Sequence, residues 1–479
     1  MQDRSKQMLL DPVTAFRHGE KDMYRNRRSF RLFLSRKSCF FVFLSFCLLT
    51  VVYLVLVRPG SNLSTFSVFR VTQNVYVGRE DNISKQEHDI SKEDYYSVVF
   101  DAGSTGTRIH IFHFKKSKDG NLQLIKDIFK KVKPGLSSYA DDPDKAVQSV
   151  KNLLGMAKDY IPKQKWYKTP LVLKATAGLR LLPGNKAENI LEGVKKLFMG
   201  NLFQKLGDDF VSLMDGDSEG IYGWLTVNYL SEKLKPLEVN KMYGALDLGG
   251  GSVQITLPMD DKQIEENQVP SNYIKSIDVS LNSYTLYTHS YLGLGLMSAR
   301  AAILNASATH QEDSKKVISV SSPCFPVGYK DVWKFAGYDF EIKGTDQCSF
   351  ENCQDFAKSV VMAKGINRAA KVNNVNIFAF SYFFDRATDL SLIDENSGGE
   401  IMVQNYVDAA QTVCQRGSVT EKPFLCLDTT YISTLLTDGF GLGLHHRLML
   451  KRNINDFDVS WAVGAALDLY EQARKMSHN

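Results

Sequence analysis

Two short loops constrain this chain more than any other feature: Asp101-Ala102-Gly103-Ser104-Thr105-Gly106 and Asp247-Leu248-Gly249-Gly250-Gly251-Ser252. Each follows an apolar run that reads as a strand, residues 97–100 and 242–246, and each leads into another, 109–114 and 253–257. A strand–loop–strand hairpin rich in Gly, Ser and Thr turns successive backbone N–H groups toward one point, and that concavity takes phosphate. The leading Asp would repel a phosphate and suits a divalent cation held through water. A single Asp-x-Gly turn is common in ordinary hairpins. Two copies 146 positions apart predict a duplicated lobe closing on a polyphosphate.

The net charge of +5 is unevenly spread: residues 1–37 hold ten Lys/Arg against four Asp/Glu, a net of +6, which leaves −1 for the remainder. The basic balance therefore belongs to a tail, and no nucleic-acid surface follows from it. Residues 39–57 are 19 in a row without a charge. At about 1.5 Å per residue they are long enough to cross a hydrocarbon core of roughly 30 Å. The run starts far from Met1, and Arg58-Pro59-Gly60 follows it instead of a small-x-small cleavage site, so a signal anchor is expected over a cleaved peptide. The cluster Arg25, Arg27, Arg28, Arg31, Arg36, Lys37 orients the N-terminus to the cytosol and the bulk to a lumen or the outside.

Five cysteines lie in the second half, and none forms a Cys-x-x-Cys pair, so an oxidising compartment favours disulfides. Cys414 and Cys426 bracket a short segment and are expected to pair. Cys324 is expected to join Cys353, with Cys348 as the alternative, leaving one thiol over. Asn62, Asn82 and Asn305 open glycosylation sequons on the expected lumenal side.

The expected organisation is a basic tail (1–38), a span (39–57), a polar stem (58–94), lobe I (95–215 with 447–479) and lobe II (216–446), all α/β beyond the stem. Helices are expected at 144–160, 187–203, 221–230 and 459–473, with a strand at 171–175. Between the loops, Lys174-Ala-Thr-Ala-Gly-Leu-Arg180 places the Thr176 hydroxyl at a cleft rim, and Asp217-Ser-Glu-Gly220 puts Glu219 at a helix start. Hydrolysing a phosphoanhydride takes a cation, N–H groups around the transferred phosphoryl, a positioned water and a base. Asp101 and Asp247 serve the cation, the Gly loops the phosphate, Glu219 the base, and Ser252 with Gln254 the water.

With these segments in order, DAGSTGTR (101–108), KATAGLR (174–180), DSEG (217–220), DLGGGSVQI (247–255) and SWAVGA (460–465), the chain resembles the apyrase-type nucleoside di- and triphosphate hydrolases. The single N-terminal span resembles their endoplasmic reticulum and Golgi subgroup of UDP- and GDP-hydrolysing enzymes. The resemblance implies a two-lobed, duplicated actin-like fold, shared with sugar kinases and heat-shock chaperone ATPases. It places Ser104, Thr105, Gly249 and Gly250 on the terminal phosphate. Asp101, Thr176 and Asp247 would hold Ca²⁺ or Mg²⁺ through its waters, with Glu219 as base and Ser252 and Gln254 on the nucleophilic water. Tyr382 and Phe383 are the aromatic candidates for the nucleotide base, while Trp461 is expected to pack the returning C-terminal helix. The implied activity is removal of the terminal phosphate of UDP, and also GDP, in the secretory pathway, on a membrane anchored by one helix. A broader apyrase acting on triphosphates is the nearest alternative.

A type II glycosyltransferase is a reading from a different class, suggested by the topology and by Asp215-Gly216-Asp217. It leaves the two hairpins and Glu219 unexplained. An inactive nucleotide sensor predicts loss of the base or a loop Asp, and both are present.

Overall fold

The computed structural model describes residues 93–478 except 104, 119–120, 235–238, 280–281, 313–315, 367–374 and 417–420. The apolar run 39–57, the flanking tail and stem, and the sequons at Asn62 and Asn82 lie outside the described residues. Among the described residues no helix is long and apolar enough to cross a membrane.

Strand β1 (Glu93–Gly103) folds back through the first loop into β2 (Gly106–Lys116), and β3 (Leu122–Val132) completes an antiparallel meander. Helix α1 (Pro143–Tyr160) starts where the Asp142 carboxylate accepts the Lys145 N–H and Pro143 opens the first turn. Its buried Ala146, Val150, Leu153, Leu154 and Ala157 recur at helical spacing and cover the sheet. Strand β4 (Leu171–Ala175) runs parallel to β1 on its other side. After a one-turn α2 (Ala177–Arg180) and α3 (Lys186–Met199), β5 (Val211–Leu213) closes the sheet in the order β3-β2-β1-β4-β5. Helix α3 stops short of the expected residue 203, because Phe203 turns inward to pack on Trp166 at 5.3 Å between ring centroids. Helix α4 (Gly216–Leu230) starts five residues before the expected 221, capped by Asp215, whose carboxylate accepts the Ser218 N–H.

The second half opens on β6 (Gly244–Leu248), the second loop and β7 (Ser252–Pro258), then β8 (Ile274–Val279), β9 (Asn282–Leu292) and α5 (Leu296–Ala306). A separate sheet follows: β10 (Ala308–Glu312), β11 (Val317–Ser322), β12 (Lys330–Phe335) and β13 (Tyr338–Gly344). Next come α6 (Phe350–Met362), β14 (Ile377–Ser381), α7 (Tyr382–Asp389), β15 (Gly399–Met402), α8 (Val403–Arg416), α9 (Leu425–Thr434), β16 (Arg447–Leu450) and α10 (Trp461–His478). The large sheet has the order β15-β16-β14-β6-β7-β9-β8. Its inner strands β9-β7-β6-β14-β16 repeat β3-β2-β1-β4-β5 in order and in relative direction. The same mixed α/β unit therefore occurs twice, each time with an Asp-led hairpin at its centre.

Helix α10 returns to pack on α4 and β1. The helices cross so closely that a Cβ on Gly464 would lie 2.2 Å from the Tyr222 carbonyl oxygen. Cys324 is bonded to Cys353 and Cys414 to Cys426, while Cys348 keeps a free, half-buried thiol. Asn305 is half-buried in the last turn of α5, and the Ser307 hydroxyl donates to the carbonyls of Ile303 and Leu304.

Candidate active site

Both loops open onto one cleft of about 330 Å³. Asp101, Thr105, Thr176, Glu219, Asp247, Gly249, Gly250 and Ser252 all line it. Ser104 lies outside the described residues. The sheets bring these groups together because each leading Asp ends a central strand. Asp101 pairs across its hairpin with Arg108, and Asp247 pairs across its own with Gln254. Arg108 and Gln254 are thus duplicates of one position, each seven residues after its Asp.

They do different work. The Arg108 Nη1 donates to Asp101 Oδ2 at 2.6 Å. The Gln254 Nε2 lies 2.8 Å from Ser252 Oγ, 2.9 Å from Ser290 Oγ and 3.3 Å from Glu219 Oε2. Gln254 and Ser252 are buried, and together with Glu219 they frame one polar point beside the second loop.

The second loop is anchored from behind. The N–H groups of Leu296, Met297 and Ser298 at the start of α5 donate to the carbonyls of Gly249 and Gly250. In a trans peptide the N–H points away from the carbonyl that precedes it, so the N–H groups of Gly250 and Gly251 point away from α5, in residues that line the cleft. The Gly249 N–H instead donates to the Ser252 carbonyl at 3.0 Å, which corrects its expected place among the phosphate donors. Gly295, at the N-cap position of α5, carries this arrangement. A Cβ there would sit 2.3 Å from the Ser252 nitrogen and 2.4 Å from that of Gly251. Gly295→Ala is expected to displace the loop and lower turnover about 10²-fold, with the melting temperature as the control measurement.

Glu219 lies in the first turn of α4, 9% exposed, and its Oε2 accepts from Arg180 Nη2 at 2.5 Å. Burial pushes its carboxyl up to about 7. Arg180 pulls it down, and the charges of Asp247 and Asp101 push it further up. Burial likewise raises Asp247 to about 6; Ser381 and Arg108 lower it and Asp101 raises it. A base must be ionised to take a proton, so activity is expected to rise through about pH 7. Arg180→Met removes a lowering influence, so this acid limb is expected to move to higher pH in a pH–rate profile.

Asp101 Oδ1 and Asp247 Oδ1 are buried atoms without a hydrogen-bond partner. Two orphaned carboxylate oxygens in mutually repelling groups, with Glu219 beside them, fit a divalent cation. Among the described residues no three His, Cys, Asp or Glu side chains gather as a direct metal shell. Such a cation would therefore complete its coordination with water and phosphate oxygens.

Phe383, expected at the nucleotide base, is fully buried in the core against the large sheet, so it cannot meet a base. The strand ends at Ser381 and a helix starts at Tyr382, which brings the half-buried Tyr382 to the cleft and turns Phe383 inward. Asp215 caps α4 and Asp217 accepts the Ser290 N–H at 3.1 Å, so this pair serves helix docking and the glycosyltransferase reading loses its metal motif. Trp461 is buried at the start of α10, as expected of a packing residue, yet it also lines the cleft.

A family model described as GDA1/CD39 (nucleoside phosphatase) matches residues 87–478. The chain belongs to this family. It is 41% identical over 400 residues to "Ectonucleoside triphosphate diphosphohydrolase 5" of Ailuropoda melanoleuca, covering 81% of this chain and 90% of that one. It is 40% identical over 395 residues to "Nucleoside diphosphate phosphatase ENTPD5" of Homo sapiens, again 81% and 90%. The human "Ectonucleoside triphosphate diphosphohydrolase 6" is 39% identical over 420 residues, 87% of this chain and 85% of that one. Among solved structures, the nucleoside triphosphate hydrolases of Neospora caninum superpose with a TM-score of 0.55 at 15% identity, covering 80% of this chain and 94% of that one. That likeness carries the fold alone, a mixed α/β architecture whose five-strand unit occurs twice.

Proposed function

We propose that this chain is a nucleoside diphosphatase that removes the terminal phosphate of UDP, and also of GDP, as inorganic phosphate. The reading rests on one observation: two Asp-led hairpins from duplicated sheets open onto a single cleft with Glu219 between them. The name nucleoside diphosphate phosphatase, carried by a relative 40% identical, supports the same reaction class.

The terminal phosphoryl group takes the N–H groups of Gly250 and Gly251 from the second loop and the N–H and hydroxyl of Thr105 from the first, with Ser104 beside it in sequence as a further candidate. Asp101, Asp247 and Thr176 would hold Ca²⁺ or Mg²⁺ through its waters, which supplies charge neutralisation at the phosphoanhydride. Ser252 and Gln254 orient the attacking water, and Glu219 takes its proton as the bond to the leaving monophosphate breaks. Arg180 holds the Glu219 carboxylate in place. The nucleotide base rests against Tyr382, near the rim where Arg452 Nη2 reaches Asp385 Oδ1 at 3.3 Å and its guanidinium lies over Phe384.

The apolar run 39–57 anchors the chain with a cytosolic N-terminus and a lumenal catalytic unit in the endoplasmic reticulum or Golgi, where the two disulfides are stable. There the enzyme clears diphosphates released by glycosyl transfer. The test is phosphate release by the full chain from UDP, GDP, ADP and UTP with Ca²⁺, Mg²⁺ or chelator. Diphosphate hydrolysis that stops with chelator is the expected result. Faster release from UTP than from UDP would favour the broader apyrase, and metal-independent release would overturn the scheme.

A further inference from the structure

In the duplicated sheets, the strand parallel to each Asp-bearing strand delivers a hydroxyl residue to the cleft at the start of a helix. In the first sheet this is Thr176, at the N-cap position of α2, and in the large sheet it is Ser381, at the N-cap position of α7; neither side chain bonds its own helix. The two Asp residues are supported unequally. Asp101 is gripped by the Arg108 guanidinium, whereas the duplicate of Arg108 is Gln254, and its amide is turned to Ser252, Ser290 and Glu219. Asp247 instead has Ser381 on the adjoining strand, one position beyond its register partner Phe380; both line the cleft, and the Ser381 hydroxyl lowers the Asp247 carboxyl.

Ser381 reaches it from an unusual backbone conformation, φ 58° and ψ −127°. That region is open to glycine and costly for a residue with a Cβ. Strain of this kind persists where the surroundings over-determine it. Here β14 is pinned between β6 and β16. On the other side, Phe383 and Phe384 are locked in the core, with the Phe383 carbonyl accepting the buried Tyr406 hydroxyl at 2.5 Å. Gly at 381 would remove the strain at no steric cost, yet the position holds Ser, whose hydroxyl is what Gly lacks.

We propose that Ser381 is a positioning residue that fixes the Asp247 carboxylate for the divalent cation, the lobe II counterpart of what Arg108 does for Asp101. The inference rests on the diphosphatase reading and on Asp247 serving a cation. It explains why the cleft lining tolerates a strained serine: the hydroxyl orients an acid that has no guanidinium partner.

The test compares full-length wild type with Ser381→Ala and Ser381→Gly. One readout is the rise in melting temperature as Ca²⁺ is added with a non-hydrolysable methylene analogue of UDP. The other is the cation concentration giving half-maximal phosphate release. Both variants are expected to need about 10-fold more cation in both measurements, while Ser381→Gly, free of strain, melts above wild type. A glycine variant with the wild-type cation requirement overturns the proposal, as does one whose cation response recovers in step with its melting temperature. If wild type shows no cation response, the diphosphatase scheme fails instead, so the two failures are separable.

Discussion

Glu219→Gln is expected to lower turnover by about 10²–10⁴-fold while nucleotide binding is largely retained. The amide keeps the size of the carboxylate and can accept from Arg180, so the cleft should hold its shape, but it cannot take a proton from water. The carboxyl sits in the first turn of α4, buried against Arg180 and within reach of Gln254. With burial and two nearby acids holding it at about 7, it is poised to exchange a proton near neutral pH. Single-turnover phosphate release together with calorimetric binding of the methylene analogue separates the two effects. Near-normal turnover would remove Glu219 as the base, and a parallel loss of binding would show that the substitution had disturbed the site.

Asp247→Asn is expected to cost about 10–100-fold in activity and to raise the cation concentration needed for half-maximal rate. The substitution removes one of the two orphaned carboxylate oxygens and one of the charges that repel each other across the cleft. It also has a sign on the pH axis. Asp247 raises the Glu219 carboxyl, so its neutralisation lowers that group below about 7 and moves the acid limb of the profile to lower pH. Arg180→Met moves the same limb the other way. Opposite shifts from these two variants would mark Glu219 as the titrating base; shifts in the same direction would contradict it.

The hairpins were legible in the sequence because everything that makes them is local. Alternating apolar strands, a Gly-rich turn and a leading Asp all fall within about a dozen residues, and their repetition announced the duplication seen in β3-β2-β1-β4-β5 and β9-β7-β6-β14-β16. Helix α1 and strand β4 were equally readable, from 3.6-residue periodicity and a short apolar run. The aromatic run 378–384 was not. Whether Phe383 or its neighbours face the cleft depends on where strand gives way to helix, and that switch occurs at Ser381 in a backbone conformation its residue type does not predict.

The chain by itself therefore determined which groups could bind phosphate and which acid could serve as base. Only the tertiary structure decided how each is held, because the partners lie far apart in sequence. Arg180 meets Glu219 across 39 positions, and Gly295 makes room for a loop more than 40 residues before it. Ser381 reaches Asp247 from a strand on the far side of an inserted sheet and helix. Contacts of this kind arise from packing two sheets and their helices around one cleft, and no local pattern of residues encodes them.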